Sequence, residues 1–148
     1  MSNYATENLR TLALVGHGSC GKTTLIEAML YRAGMIPEMG SIQRGTTMCD
    51  NDLLEKEVGH SIRLAVAHID TAMTDLTPVR IHILDTPGYP DYLGQDMSAL
   101  DAVKSVCAVI DPTKGPELLT RRLMAMVPLF YLLQPITQHT STSYLPSV

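Results

Sequence analysis

Apolar residues along this chain switch repeatedly between strand and helix periods. Leu12 to Val15 is a short unbroken apolar run ending in glycine, the signature of a buried strand. From Lys22 to Ala33 the spacing changes, and Leu25, Ile26, Met29, Leu30 and Ala33 fall on one helical face, with Gly34 as the stop. Met35 to Glu57 keeps no period and predicts a long loop, a feature that is usually functional inside a compact domain. Ser61 to Ile69 alternates as a strand, with Ile62, Leu64, Val66 and His68 on one side and Arg63, Ala65, Ala67 and Ile69 on the other. TDLTP then reads as a hairpin turn, and Val79 to Asp85 as the returning strand with Val79, Ile81 and Ile83 on a shared side. Helical spacing returns at Leu93, Met97, Leu100 and Val103, followed by a buried-type strand from Val106 to Ile110 that ends at Asp111. Glu117 to Met126 predicts a further helix, with Leu119, Leu123 and Met126 inward and Arg121 and Arg122 in solvent.

Strands alternating with helices in this order predict an α/β fold: a mostly parallel sheet with one antiparallel hairpin strand and helices on both faces. The length of 148 residues suits one ordinary domain, and 45% hydrophobic with 18% charged residues is a soluble, core-forming composition. Eleven basic against fifteen acidic residues give a formal charge of -4, so no basic patch points to direct nucleic-acid contact. The longest nearly apolar run, Met124 to Leu133, is interrupted by Pro128 and falls well short of the roughly 20 residues of a membrane span. The amino-terminal MSNYATENLR has neither a secretory nor an organelle-targeting pattern, and Cys20, Cys49 and Cys107 show no C-x-x-C pairing. A reduced, cytoplasmic protein without disulfides or zinc is the expectation. Cys20 lies near a helix start, where thiolate is favoured, although its expected part is that of a small loop residue.

The stretch LALVGHGSCGKTT satisfies two phosphate-binding patterns. Gly16, Gly18 and Gly21 match the turn of a dinucleotide site, which needs a second strand and an acidic residue about 20 positions on. That zone is MIPEMGS, which carries no strand and only a badly placed Glu38. The triphosphate loop fits instead. Gly16, His17, Gly18, Ser19, Cys20 and Gly21 supply backbone N–H groups, Lys22 a cation for the β and γ oxygens, and Thr23 a hydroxyl for magnesium at the head of a helix, with Thr24 following.

DTPG, Asp85 to Gly88, directly follows the VRIHIL strand. A carboxylate at the end of a strand beside the phosphate loop stands where a partner of bound magnesium belongs, and Gly88 lets its N–H approach a γ-phosphate. D-x-x-G alone is a common turn; its distance downstream of a phosphate loop gives it this meaning.

GHGSCGKTTL, RGTTMCD, EKEVGHSI and LDTPGYPDYLGQDMSALDAVKSVCAVID, taken in order, resemble the GTP-binding domain of translational GTPases, above all elongation factor G and its elongation-factor-G-like relatives. The resemblance covers roughly residues 9 to 133. It implies a phosphate-loop NTPase fold, GTP or GDP with Mg²⁺ as ligands, and the ribosome as partner through domains outside this stretch. It also implies that Gly16 to Thr24 hold phosphates, that residues 40 to 61 and 85 to 95 are the two switch segments, and that Thr23, Ser61 and Asp85 serve the metal. Lys22, Gly88 and Tyr89 are the residues it places at the reacting phosphate.

The chain departs from the family pattern at three places. Ser61 stands where the family has a threonine, keeping the hydroxyl without its methyl group. Tyr89 replaces the histidine of the usual DTPGH, and a phenol, with an ordinary pKa of about 10, is a poor base. Slow hydrolysis is expected of such a site. The guanine-reading N-K-x-D is absent, for after PLFYLL the chain runs QPITQHTSTSYLPSV. The change in composition near Leu133 suggests a domain incomplete at its C-terminus, with residues 1–8 and 134–148 as disordered tails and Leu129, Phe130, Leu132 and Leu133 exposed.

Other residues invite plainer expectations. His17, His60, His68 and His82 read as loop or strand residues, solvated or packed; the nine methionines as core filler; Asp50 and Asp52 as solvated loop carboxylates. Two competing readings stay open: a phosphate-loop ATPase of another family, and a non-catalytic remnant that binds nucleotide weakly.

Overall fold

A computed structural model describes residues 4–49, 55, 60–73, 75–126 and 130–133. Five strands form one sheet in the order β2-β3-β1-β4-β5. They are β1 (Leu9–Val15), β2 (Ala65–Ala72), β3 (Pro78–Asp85), β4 (Ser105–Val109) and β5 (Phe130–Leu133). The α-helices bounded within the described residues are α1 (Lys22–Arg32), α2 (Leu93–Ala102) and α3 (Leu118–Met126). β1 pairs in parallel with both β3 and β4, and β4 with β5. β2 alone runs antiparallel, against β3. The α/β class, the dominant parallel pairing and the single antiparallel hairpin strand are as the sequence predicts.

Alternation along the strands divides the core into two layers. Leu14 of β1, Ile83 of β3, and Cys107 and Val109 of β4 meet Ile26 and Leu30 of α1 on one face of the sheet. Ala13 and Val15, Leu84, and Val106 and Ala108 meet Ala99 of α2 and Leu119 and Leu123 of α3 on the other. Helices cover both faces because each central strand is apolar on both sides. Full burial of a side chain such as Leu14 or Ile26 contributes about 1.5 to 3 kcal/mol. The connection from β1 runs over one face and that from β3 over the other, which opens a crevice at the carboxyl ends of β1 and β3.

Several expectations need correction. The strand predicted from Ser61 starts only at Ala65, because the amides of Ile62, Arg63 and Leu64 bond to the side chains of Glu55 and Gln95 rather than to a neighbouring strand. Of its two faces, the one carrying Ala67 and Ile69 is buried, while Val66 is 64% exposed. Met126 is 53% exposed rather than inward; α3 ends there, and its buried positions are Leu119, Thr120 and Leu123. Among the described residues the methionines are mostly not core filler: Met35, Met39, Met48, Met73, Met97 and Met126 are exposed, and Met29 and Met124 alone pack against the core clusters. Phe130–Leu133 forms the edge strand β5 against β4. Residues 1–3, Leu129, the 134–148 tail, Asp50 and Asp52 lie outside the described residues, as do the side chains of Phe130, Leu132 and Leu133, on which the expected exposure falls.

Candidate functional site

Gly16 follows β1, and the chain then turns through Ser19 and Gly21 into the first residue of α1, Lys22. The Lys22 side chain folds back over this turn. Its Nζ donates to the carbonyl oxygens of Gly16 (3.2 Å) and His17 (2.9 Å) and lies 3.9 Å from Cys20 Sγ. The ammonium is buried, 5% exposed, and its bonds go to carbonyls and a thiol rather than to a carboxylate. A buried cation whose hydrogen bonds go to neutral groups, next to an open cavity, suits an anion.

Thr23, next on the helix, donates from Oγ1 to Asp85 Oδ2 at 2.7 Å, and its Oγ1 lies 3.3 Å from Ser61 Oγ. Ser61 and Asp85, 38 and 62 positions from Thr23 in sequence, thus converge on its hydroxyl, so that two hydroxyls and a carboxylate meet at one point. Oxygen donors of this kind suit a hard divalent cation such as magnesium. Asp85 is fully buried at the end of β3 and reaches the cavity through the Thr23 hydroxyl. Beside it, Thr86 donates to Leu14 O at 2.9 Å and ties the DTPG turn to β1.

Gly88 has a φ of +77°, and a Cβ there would strike Gly16 O and Lys22 Nζ. Only glycine allows the second motif to lie this close to the first. Gly18 has a similar constraint, since a Cβ would enter the ring of Tyr89. The Tyr89 hydroxyl lies 3.4 Å from Ser19 Oγ, and its ring stands edge-on to His60 with centroids 4.5 Å apart.

A cavity of about 230 Å³ opens here. Of the residues singled out from sequence, Ser19, Gly21, Lys22, Thr23, Thr24, Ser61 and Tyr89 line it. Gly16, His17, Cys20, Asp85 and Gly88 are buried around it, and Gly18 lies beneath the Tyr89 ring. Ile42, Gln43, His60, Thr86 and Pro87 also line the cavity and were not predicted as site residues. Thr86 and Pro87 sit within DTPG, and Ile42, Gln43 and His60 within residues 40–61, the first switch segment that the family resemblance implies.

Burial pushes the Cys20 thiol up, against the opposing pull of the nearby Lys22 ammonium, so the thiolate expected of a helix start is disfavoured here. Asp96, in the first turn of α2, also escaped notice. Its carboxyl is fully buried and raised by desolvation, opposed by the Thr86 hydroxyl, the Gly88 amide and the Lys22 charge. His17 is buried, with Nε2 3.4 Å from Glu117 Oε1, and so is packed rather than solvated. Among the described residues no helix is long and apolar enough to cross a membrane, and no cluster of three or more His, Cys, Asp or Glu forms a metal site.

Comparison with known proteins agrees with this geometry. The family model of the elongation factor Tu GTP binding domain matches residues 7–130. The tetracycline resistance protein TetM from transposon Tn1545 of Enterococcus faecalis is 32% identical over 133 residues, 86% of this chain and 20% of that protein. The elongation factor G-like protein of Mycobacterium tuberculosis is 36% identical over 115 residues, 78% of this chain and 15% of that protein. A crystal structure of a Thermus thermophilus protein superposes with a TM-score of 0.71 at 34% identity, covering 78% of this chain and 17% of that one. The chain spans about a fifth or less of the length of these relatives. On the matched motifs, the sheet order and the extent of that match, the chain belongs to the elongation factor Tu GTP binding domain family of translational GTPases.

Proposed function

We propose that the chain is a GTP-binding domain fragment of an elongation factor G-like translational GTPase. In this reading it binds Mg-GTP and GDP at Gly16–Thr24, and hydrolyses GTP in the context of ribosomal translocation. The observation that carries the proposal is the buried Lys22 ammonium, held by the loop carbonyls of Gly16 and His17 beside the convergent Thr23, Asp85 and Ser61 oxygens. Lys22 and the N–H groups of the loop would hold the phosphates, and the Thr23 and Ser61 hydroxyls the metal, with Asp85 fixing the Thr23 hydroxyl from behind. Bound magnesium would neutralise phosphate charge. Gly88 brings its backbone up to the loop, and Tyr89 covers Gly18 at the cavity rim, where its hydroxyl can orient water in place of the histidine of the usual DTPGH. Slow single-turnover hydrolysis is the expected consequence. Guanine selectivity is carried by family membership, since the chain has no N-K-x-D.

Titration of the purified chain with GTP, GDP and ATP in the presence of Mg²⁺ tests this reading, with Lys22→Ala as control. Each charge-assisted hydrogen bond from Lys22 is worth about 1.5 to 3 kcal/mol, so losing two lowers affinity by about 100-fold or more. Lys22-dependent binding that favours GTP and GDP supports the proposal. Preference for ATP points to a different phosphate-loop enzyme, and binding indifferent to Lys22 leaves a non-catalytic remnant.

A further inference from the structure

Ser61 is flanked on both sides by contacts to one other segment, residues 89–95. On its amino-terminal side, the His60 ring stands at 82° to the Tyr89 ring, with centroids 4.5 Å apart. On its carboxyl-terminal side, the Gln95 side chain donates from Nε2 to Ile62 O (2.9 Å) and accepts from Leu64 N at Oε1 (2.6 Å). One primary amide thus bonds two main-chain groups two residues apart, as a neighbouring strand would. The network fixes the amide orientation, because exchanging its oxygen and nitrogen would set donor against donor at Leu64.

Gln95 is the third residue of α2, and the path back from it leads through Tyr89 to Gly88, which packs on Gly16 O and Lys22 Nζ. Ser61 in turn reaches Thr23 Oγ1 at 3.3 Å. Residues 62–64 make no strand pairing of their own; their amides rest on Glu55 and Gln95. The location of the Ser61 hydroxyl therefore depends on two anchors, Glu55 and the start of α2, and only the second leads back to Gly88.

From this arrangement we infer that Gln95 is a positioning residue: it ties Ser61 to the Gly88–α2 segment, so that a ligand phosphate sensed at Gly88 sets the Ser61 hydroxyl beside Thr23. The inference rests on the phosphate-site reading above and adds to it a named device for telling triphosphate from diphosphate. A diphosphate held by the loop and Lys22 has no γ-phosphate to meet Gly88, so it gains nothing through the Gln95 link. A triphosphate gains from both only while Gln95 links them.

The test measures Mg²⁺-dependent affinities for GDP and for a non-hydrolysable GTP analogue in the 148-residue chain. It compares wild type, Gln95→Ala, Ser61→Ala and the double variant. Losing two side-chain hydrogen bonds should lower affinity for the GTP analogue by about tenfold and leave affinity for GDP unchanged. The double variant should fall no further than Ser61→Ala, because the two residues act through one contact. Gln95→Glu keeps the acceptor for Leu64 and loses the donor to Ile62, so it should show an intermediate loss. Equal weakening of both nucleotides, or additive losses in the double variant, would mark Gln95 as merely structural and overturn the inference. A Gln95→Ala chain with wild-type preference for the analogue overturns it alone, leaving the phosphate site intact. A wild-type chain that binds neither nucleotide through Lys22 overturns the phosphate-site reading and this inference together.

Discussion

Asp96 shows how a single buried carboxyl can weigh against the fold. Its carboxyl is fully buried in the first turn of α2 and desolvation raises its pKa, with Thr86, Gly88 and Lys22 only partly offsetting that rise. A carboxyl whose folded pKa is raised stabilises the fold most when protonated, below its ordinary value of 3.8, and this contribution is lost as pH rises through the folded value. At neutral pH the ionised form is therefore a strain on the native state, so Asp96→Asn is expected to raise the melting temperature at pH 7. Below pH 3.8 the difference between Asn variant and wild type should vanish. Thermal melts across that range check it, and a gain that persists in acid would show that charge is not the cause. Asp70 has the opposite sign. The Arg80 guanidinium, bonded to both its oxygens at 2.6 and 2.8 Å across the β2–β3 hairpin, holds its carboxyl below 3.8, so what that pair contributes is lost as pH falls.

At the scale of elements, what the sequence made legible was decided by whether the signal was periodic. The strand period of Val79 to Asp85 and the helical period of Lys22 to Ala33 arise from one-sided or two-sided burial against the sheet, and these elements appear nearly where predicted. The phosphate loop and DTPG were equally legible, because their chemistry needs fixed residues at fixed spacing. The contacts that organise the aperiodic loop were not legible, because they are polar, single and remote in sequence. Glu27 is the clearest case. It sits in the apolar run of α1, is 1% exposed, and its carboxylate accepts from Gly40 N at 3.0 Å and from Met48 N, which closes both ends of residues 40–48 onto the helix. No pattern announces a glutamate with that task. The false start of β2 at Ser61 has the same origin, since Gln95 and Glu55 take the backbone groups that a strand would have used. Glu27→Gln keeps the volume but replaces one acceptor oxygen with a donor facing an N–H, so it should cost about 1 to 3 kcal/mol. The loss should be local first. Hydrogen exchange is expected to quicken at Gly40 and Met48 before it does in the strands, and uniform acceleration across the sheet would contradict the proposed anchor.

For the molecule as a whole, the two core layers lie on opposite faces of one sheet and share its strands without sharing side chains. Ile26 of α1 belongs to the first layer and Leu123 of α3 to the second, and both are fully buried. Truncation of either to alanine removes contacts and leaves a cavity, at a cost of about 2 to 5 kcal/mol. Because the sheet backbone lies between them, the two cavities have no common wall to collapse through. The costs in Ile26→Ala/Leu123→Ala should therefore add to within about 0.5 kcal/mol. Additivity and cooperativity are separate matters here. Every central strand contributes to both layers, as Leu14 and Val15 of β1 do, so neither layer can unfold while the other keeps its strands. Denaturant unfolding of each single variant should then remain one transition with an unchanged m-value, shifted only in midpoint. A second transition, or an m-value that falls in the Leu123→Ala chain alone, would mean that α3 and the β4–β5 edge melt as a separate unit. The crevice at the ends of β1 and β3 would in that case be held by α1 and the hairpin without help from the second layer.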